Sequence, residues 1–477
     1  MGVVSKTSFS EISKSHYLFS TFNYFRLRKL IDEKQYFQKV RLGDFFEIIS
    51  GFAFSSKDYT DEGVLVCRIG DISKSNELLV QEMLRLPDDY LEKYEKYRIL
   101  KNDILIGLTG DGKYFKTCLV ELEEPEILLN QRVGILRLKN GITTTAIKFI
   151  AHLFNTDEVQ NQIRIVAMGK TQKNVSSFDI LNVKIPKIDF AKQNEVLEKI
   201  QPVEAEMLEL KNSKLQVVNI INQVFGEAFG FDWSAFENIK KEKSYTSSIS
   251  KFSNNIDCRM GIRFHNKAGA YIQSFLESKT NKRIKDFISE NVVLGKSVSP
   301  SDYDEDGEYF YIAMSNIKTW AFDPEDCKKV SESFADSNLN KTVKKGDILL
   351  ARSGEGTIGK VALIEDDEIN GIFADFTQRI RLTGFDPLCA YYYMRSDFFQ
   401  YLVYTHKKGL GNNTNIFPSQ IKEFPIPDWD ETKQAEIVNK IKTQLDAQKV
   451  IDSQIEEKQQ AINKIIEDAT QQEQLNA

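Results

Sequence analysis

The amino-acid sequence predicts an α+β fold: two pseudo-symmetric mixed domains joined by a long antiparallel two-helix coiled coil. Three observations predict it. The apolar residues Val196, Ile200, Val203, Met207, Leu210, Val217, Ile221 and Val224 step by alternating fours and threes, with one polar interruption at Lys214, which is a heptad seam. The seam returns 241 residues later as Ile437, Ile441, Ile451, Ile462 and Ile465, with Ile455 at the position of Lys214. Ahead of each seam, residues 103–121 align without a gap on 347–365 at a shift of 244. A seam of this length makes a rod of about 54 Å, and such a rod buries its stripe only against a partner helix.

Taken in order, each copy opens on a serine-rich lead and a short helical segment, 22–35 in the first and 265–278 in the second. Arg41-Leu42-Gly43-Asp44-Phe45 then answers Arg283-Ile284-Lys285-Asp286-Phe287. Apolar residues on both sides of a glycine-rich tip make 103–121 and 347–365 a β-hairpin in each copy. Gln131-Arg132 recurs as Gln378-Arg379. Helical stretches follow near 145–166 and 387–404, then polar loops at 169–174 and 409–415. Proline-bearing strands, Val183-Lys184-Ile185-Pro186 and Phe424-Pro425-Ile426-Pro427, close the copies, with Asp189 and Asp430 placed to cap the long helices. The expected boundaries are 1–188 for the first mixed domain, 189–230 for the first long helix and 231–256 for a linker, then 257–429 and 430–470 for the second domain and helix.

The composition narrows the function. No apolar run reaches the roughly 18 residues of a membrane span, and residues 1–15 are too polar for a secretory signal. Five scattered cysteines without a CxxC favour neither a disulfide framework nor a zinc site, and point to a reducing, cytoplasmic setting. A net charge of −6 argues against a chain that grips nucleic acid unaided, but not against one with local basic clusters or with partners. Four isolated histidines, and the absence of HExxH and GxSxG, leave no catalytic constellation.

One apparent motif is rejected on its context. Residues 354–360 fit GxxxxGK, but Val361 stands where Ser or Thr would hold Mg²⁺, and a strand rather than a helix follows. The polar loops are the better candidates for a DNA surface, because Lys supplies phosphate contacts while Asn and Gln bond adenine bidentately. They offer Lys170, Gln172, Lys173 and Asn174 in the first copy, and Lys407, Lys408, Asn412, Asn413 and Asn415 in the second. Arg132 and Arg379 beside the strands, Lys113 at the first hairpin tip and Arg352 beside the second complete the set. The competing reading of the loops is turn geometry alone, and of the two arginines structural ion pairs.

Several of these stretches together resemble the DNA specificity subunit of a type I restriction–modification system. They are Gly346-Asp347-Ile348-Leu349-Leu350-Ala351-Arg352-Ser353-Gly354 with Ile358-Gly359-Lys360, the closing strand at Phe424, and the heptad helix after each domain. The resemblance runs from about 41 to 469, and the first copy departs from it by lacking the glycine before Asp103. It implies two target-recognition domains, each reading half of a split, asymmetric double-stranded DNA site, with the helix pair setting the gap. It implies two methyltransferase subunits docking on this chain and restriction–translocase subunits joining them. S-adenosylmethionine, and ATP with Mg²⁺ for restriction, would then sit on those partners, and this chain would bind no cofactor and carry no bond-making step. The alternative from a different class is a scaffold or decoy that binds methyltransferase subunits without reading DNA. A third is a nucleotide-dependent enzyme resting on residues 354–360.

Overall fold

The computed structural model describes residues 39–472, apart from 74, 111–113, 124, 143–145, 169–172, 243, 245, 247, 249, 251–258, 260, 318, 326, 355 and 411–412. The expected helix at 22–35 lies outside the described residues. The chain divides into two compact units, Met1–Ser213 with Asp452–Ala477, and Lys214–Ile451.

In the first unit the strands are β1 (Lys39–Arg41), β2 (Phe46–Ser50), β3 (Val64–Cys67), β4 (Leu84–Leu86), β5 (Ile104–Gly107) and β6 (Thr109–Gly110). After them come β7 (Thr117–Leu119), β8 (Ile127–Leu129), β9 (Val133–Leu138), β10 (Lys173–Asn174) and β11 (Lys184–Pro186). A four-stranded sheet runs β2-β9-β5-β7, and a three-stranded sheet runs β4-β3-β8. The second unit repeats this with β12 (Val293–Leu294), β13 (Tyr309–Ile312), β14 (Lys328–Val330), β15 (Ile348–Ala351), β16 (Val361–Leu363), β17 (Gly371–Phe373) and β18 (Thr377–Ile380). Its sheets run β12-β18-β15-β16 and β14-β13-β17. In both units the only parallel pair within these sheets is the one inside the small sheet, β3 with β8 and β13 with β17.

The registers of the two large sheets superpose residue by residue. Ile104 faces Leu119 and Leu136, as Ile348 faces Leu363 and Ile380, so the hairpin expected at 103–121 and 347–365 is present in both. One part of the sequence alignment is corrected by this. Leu350 pairs with Gln378 where Ile106 pairs with Gly134, so Gln378-Arg379 matches Gly134-Ile135. Gln131-Arg132 has its counterpart in Asp375-Phe376.

The central strand of the large sheet is buried on both faces, which explains its continuous apolar run. Ile104 and Ile106 join a core with the helices, whereas Leu105 joins one with the small sheet. Ile348 and Leu350 divide from Leu349 in the same way. Each expected helical stretch after the sheets is two helices, Ile147–Leu153 with Asp157–Val166, and Pro387–Arg395 with Asp397–His406. A glutamine, buried in the first unit and half-buried in the second, then pins the hairpin. Gln160 bonds both backbone groups of Phe115, and Gln400 donates to the Gly359 carbonyl.

The first long helix is not continuous. It is α1 (Phe190–Ser213) and α2 (Val217–Phe229), parted at 214–216, where Leu215 N–H donates to Gln448 Oε1 at 2.7 Å. The break falls where the apolar seam is interrupted by Lys214, so no stripe holds the chain helical there. The later helix, α3 (Glu431–Gln472), is unbroken, and the Asp430 carboxylate accepts from Lys433 N–H at 2.8 Å as its cap.

Within each unit the helical segments pack antiparallel. In the first unit Val196 and Ile200 share a core with Ile462, Ile466 and Ala469, and Glu206 pairs with Lys458. In the second, Ile221 and Val224 share a core with Ile437 and Ile441, and Glu227 pairs with Lys440. Val203, Met207, Leu210, Ile451, Ile455 and Ile465 are half-buried on the seam. Val217 is not a seam residue, because it starts α2 beside the break and is 37% exposed. Ile466, absent from the sequence-read seam, is fully buried.

The helices also belong to the domains rather than standing apart from them. Gln193, buried in α1, accepts from Ala146 N–H and donates to the Ile188 carbonyl. Gln434 in α3 does the same with Asp386 and Trp429. The expected linker at 231–256 is likewise corrected at its start. Trp233–Lys240 is a helix, and Phe231 and Phe236 are buried in the second unit's core through a run of tilted and edge-on aromatic contacts. The closing strand holds in the first unit, where β11 pairs with β1, but shrinks to one bridge, Arg283 with Pro425, in the second.

Candidate nucleic-acid interface

In each unit the two flanks of the polar segment are pinned together and to the end of the central strand by the same backbone hydrogen bonds. In the first unit Met168 and Asn174 exchange N–H···O bonds of 2.9 and 2.7 Å, and Val175 N–H donates to the Leu108 carbonyl at 2.9 Å. In the second, Lys408 and Asn415 exchange bonds of 2.7 Å, and Ile416 N–H donates to the Arg352 carbonyl at 2.9 Å. The other side of that central residue holds a tight turn. Leu108 N–H donates to the Arg132 carbonyl and Arg352 N–H to the Phe376 carbonyl, each at 2.9 Å. Turn tip, strand end and loop thus lie side by side in both units. At strand spacings of about 4.8 Å, tip and loop are on the order of 10 Å apart.

Local chemistry explains the second loop. Gly409 has φ +100°, and a Cβ there would fall 2.3 Å from the Asn413 carbonyl oxygen, so only glycine closes it. Residues 356–359 form a turn, Gly354 and Gly359 have positive φ, and Val361 then pairs with Leu350 in the sheet. The turn runs into a strand and does not open a helix, so the phosphate-loop reading fails on geometry.

The sequence-predicted residues divide into three groups. Lys113, Lys170, Gln172 and Asn412 lie outside the described residues. Arg132, Lys173, Asn174, Arg352, Lys408, Asn413 and Asn415 all lie on the tip, strand end or loop. Of these, Arg132, Asn174 and Asn413 are exposed, and the others are half-buried. The Arg352 Nε donates to the Asp375 carbonyl at 3.0 Å, and Asn415 Nδ2 donates to the Asn413 carbonyl at 3.0 Å. Among the described residues the Arg132 side chain has no hydrogen-bond or ion-pair partner, whereas Arg352 is partly committed to holding the turn.

Arg379 and Lys407 do not belong to the surface. Arg379 sits on β18 inside the sheet and its side chain is 3% exposed. Its guanidinium bonds Glu290 at 2.7 Å, bonds the Thr342 carbonyl and lies over the Phe373 ring. Burial pushes its pKa below the usual guanidinium value, with the Arg381 charge adding to the effect. Lys407 is 6% exposed and lies 5.6 Å from the Tyr404 ring centre. Both side chains are buried, not presented on the exposed tip or loop.

Sequence reasoning missed the apolar part of this surface. Phe376 is 49% exposed at the place of Arg132, Leu410 is 83% exposed in the second loop and Met168 is 52% exposed beside the first. The sequence signal for Phe376 was the gap-free shift of 244, which continues past residue 365 to pair Arg132 with it. Among the described residues, no cluster of His, Cys, Asp or Glu could hold a metal ion. No described helix is long and apolar enough to cross a membrane.

Comparison with known proteins follows the internal repeat. A family model described as type I restriction modification DNA specificity domain matches twice, over residues 34–219 and 277–476. The chain is 24% identical over 182 residues to the type I restriction enzyme MjaVIII specificity subunit of Methanocaldococcus jannaschii, covering 38% of this chain and 42% of that protein. It is 27% identical over 112 residues to the EcoAI specificity subunit of Escherichia coli, covering 23% of this chain and 18% of that protein. The chain therefore spans less than half the length of either curated relative. Among solved structures, a chain of a type I R-M system complex aligns with 14% identity and a TM-score of 0.40, covering 91% of this chain and 97% of that one. The S subunit from M. genitalium aligns with 15% identity and a TM-score of 0.33, covering 90% and 95%.

Proposed function

The chain belongs to the family of type I restriction modification DNA specificity domains, and from that premise we propose that it reads a bipartite, asymmetric double-stranded DNA site, one half per unit. Its role is specificity, without a catalytic step of its own. The observation that carries the bipartite reading is the pinned loop built twice on one hydrogen-bonding plan, with different residues at corresponding places. Asn174 and Arg132 would serve the first half-site, and Arg352, Lys408, Asn413 and Asn415 the second, in a mixture of phosphate and base-edge contacts.

The helical segments between the two readers set the gap in this reading. Two methyltransferase subunits dock on the chain and methylate adenine with S-adenosylmethionine, and restriction–translocase subunits supply the ATP- and Mg²⁺-dependent activity. The cofactors reside on those partners, and the assembly works in the cytoplasm. A net charge of −6 suits a reader that shares its phosphate contacts with such partners.

Methylome sequencing of cells carrying this chain with its cognate methyltransferase subunit tests the proposal. A split adenine-methylated motif with two unlike halves is expected. An assembled complex that methylates no defined motif would favour the scaffold or decoy reading instead.

A further inference from the structure

Phe376 occupies a position whose counterpart in the first unit is the exposed Arg132. Both residues are third in a tight turn closed by one backbone bond, Val133 N–H to the Asn130 carbonyl and Thr377 N–H to the Ala374 carbonyl, each 3.0 Å. The second turn is further braced by Thr377 Oγ1 to the Ala374 carbonyl at 2.7 Å, by Arg352 Nε to the Asp375 carbonyl at 3.0 Å and by Ser297 Oγ to the Asp375 carboxylate at 2.7 Å. The backbone under Phe376 is therefore rigid, while its ring is 49% exposed and, among the described residues, stacks on no other ring and joins no core cluster. Single exposed apolar residues are ordinary. This one stands one backbone bond from Arg352 and two from the loop that presents Leu410, itself 83% exposed.

A preorganised, apolar, flat side chain among amide and cationic groups suits one feature of a base edge, the C5-methyl of thymine in the major groove. Resting on the DNA-reading proposal above, we infer that Phe376 is a specificity-determining residue of the second unit that packs against a thymine methyl in that unit's half-site. Arg132 supplies a cationic contact at the same place in the first unit, so the two halves differ in chemistry at corresponding positions.

The test uses the full chain assembled with its methyltransferase subunits and duplexes carrying the methylome-defined motif. Each thymine of the second half-site is replaced in turn by deoxyuridine, which removes only the methyl group. The wild-type complex should lose about fourfold in affinity at one position, the value of one buried methyl. Phe376→Ala should lose about as much on normal DNA and show no further loss with deoxyuridine, while Phe376→Leu should keep the deoxyuridine response. A second half-site without thymine, or a Phe376→Ala complex that responds to deoxyuridine as the wild type does, overturns the inference and leaves the DNA-reading proposal standing. A wild-type complex with no sequence preference at all overturns both.

Discussion

Arg137 holds Asp103 through two hydrogen bonds, Nε to Oδ1 at 2.9 Å and Nη2 to Oδ2 at 2.7 Å. Arg381 holds Asp347 in the same fork, at 2.6 and 2.7 Å. Each aspartate is buried, and each also accepts a backbone N–H that closes the turn before the central strand, Leu100 in one case and Lys344 in the other. The pair fixes where the central strand begins, and the polar segment is pinned at that strand's other end. Removing one partner of such a buried pair strands the other, which costs about 3 kcal/mol. Arg137→Ala and Arg381→Ala should each lower the unfolding free energy of the chain by that order, read as a lower denaturant midpoint, through different units. No change in either midpoint would show that the pair is dispensable.

The corrected helix seam makes a second prediction. Ile462 and Ile441 are fully buried, so truncating either to Ala should cost about 2–5 kcal/mol. Val217→Ala, at a 37% exposed position beside the break, should stay within about 0.5 kcal/mol of the parent. Thermal melts of the three variants separate this seam from a continuous heptad rod, in which all three would be costly.

Arg132 and Arg379 should behave in opposite ways. Arg132→Ala should fold normally and weaken DNA binding several-fold, with a salt slope smaller by about 1 if the contact is to phosphate. Arg379→Ala removes a buried hydrogen-bonding charge and should cost about 2 kcal/mol of stability without altering the methylated motif. Fluorescence anisotropy against salt, read beside thermal melts, distinguishes the two. A motif changed by Arg379→Ala in a normally stable chain would restore it to the reading surface.

Acid should weaken the first unit at one identifiable point. Burial works against a charged Glu204, but hydrogen bonds and charges from His152 and Lys148 overcome it and hold the carboxyl at about 2. Lys148 Nζ is 2.7 Å away and His152 Nε2 3.2 Å. A carboxylate whose pKa is depressed by folding stabilises above its unfolded value of about 4.3. That stabilisation is lost as pH falls from there towards 2. Glu204→Gln should therefore flatten the stability-versus-pH curve in this window, and an unchanged curve would show that the triad is energetically idle.

The sequence made legible what repeats. A 244-residue shift carried the hairpin, because its central strand, β5 or β15, is buried at every position and cannot vary freely. It did not reveal what depends on burial. Gln131-Arg132 and Gln378-Arg379 share a dipeptide, yet one arginine ends a surface turn and the other lies in a central strand. Lys407 was read as loop because its neighbours are polar, although it follows a helix and folds inward. The segment at Phe231 and Trp233 looked like linker because its apolar residues are too few to show a period. The break at 214–216 was visible only as a missing apolar residue, which a charged side chain on a continuous helix would equally have produced.

The central claim is that two unlike readers are spaced by the helical segments between them. It is tested most directly by lengthening those segments and sequencing the methylome. One heptad is inserted after Ser213 and one after Ile451, which keeps the seam in register and adds about 10 Å. Both half-motifs should persist with the gap between them widened by about three base pairs. An unchanged gap, or half-motifs whose bases change with helix length, would contradict the account.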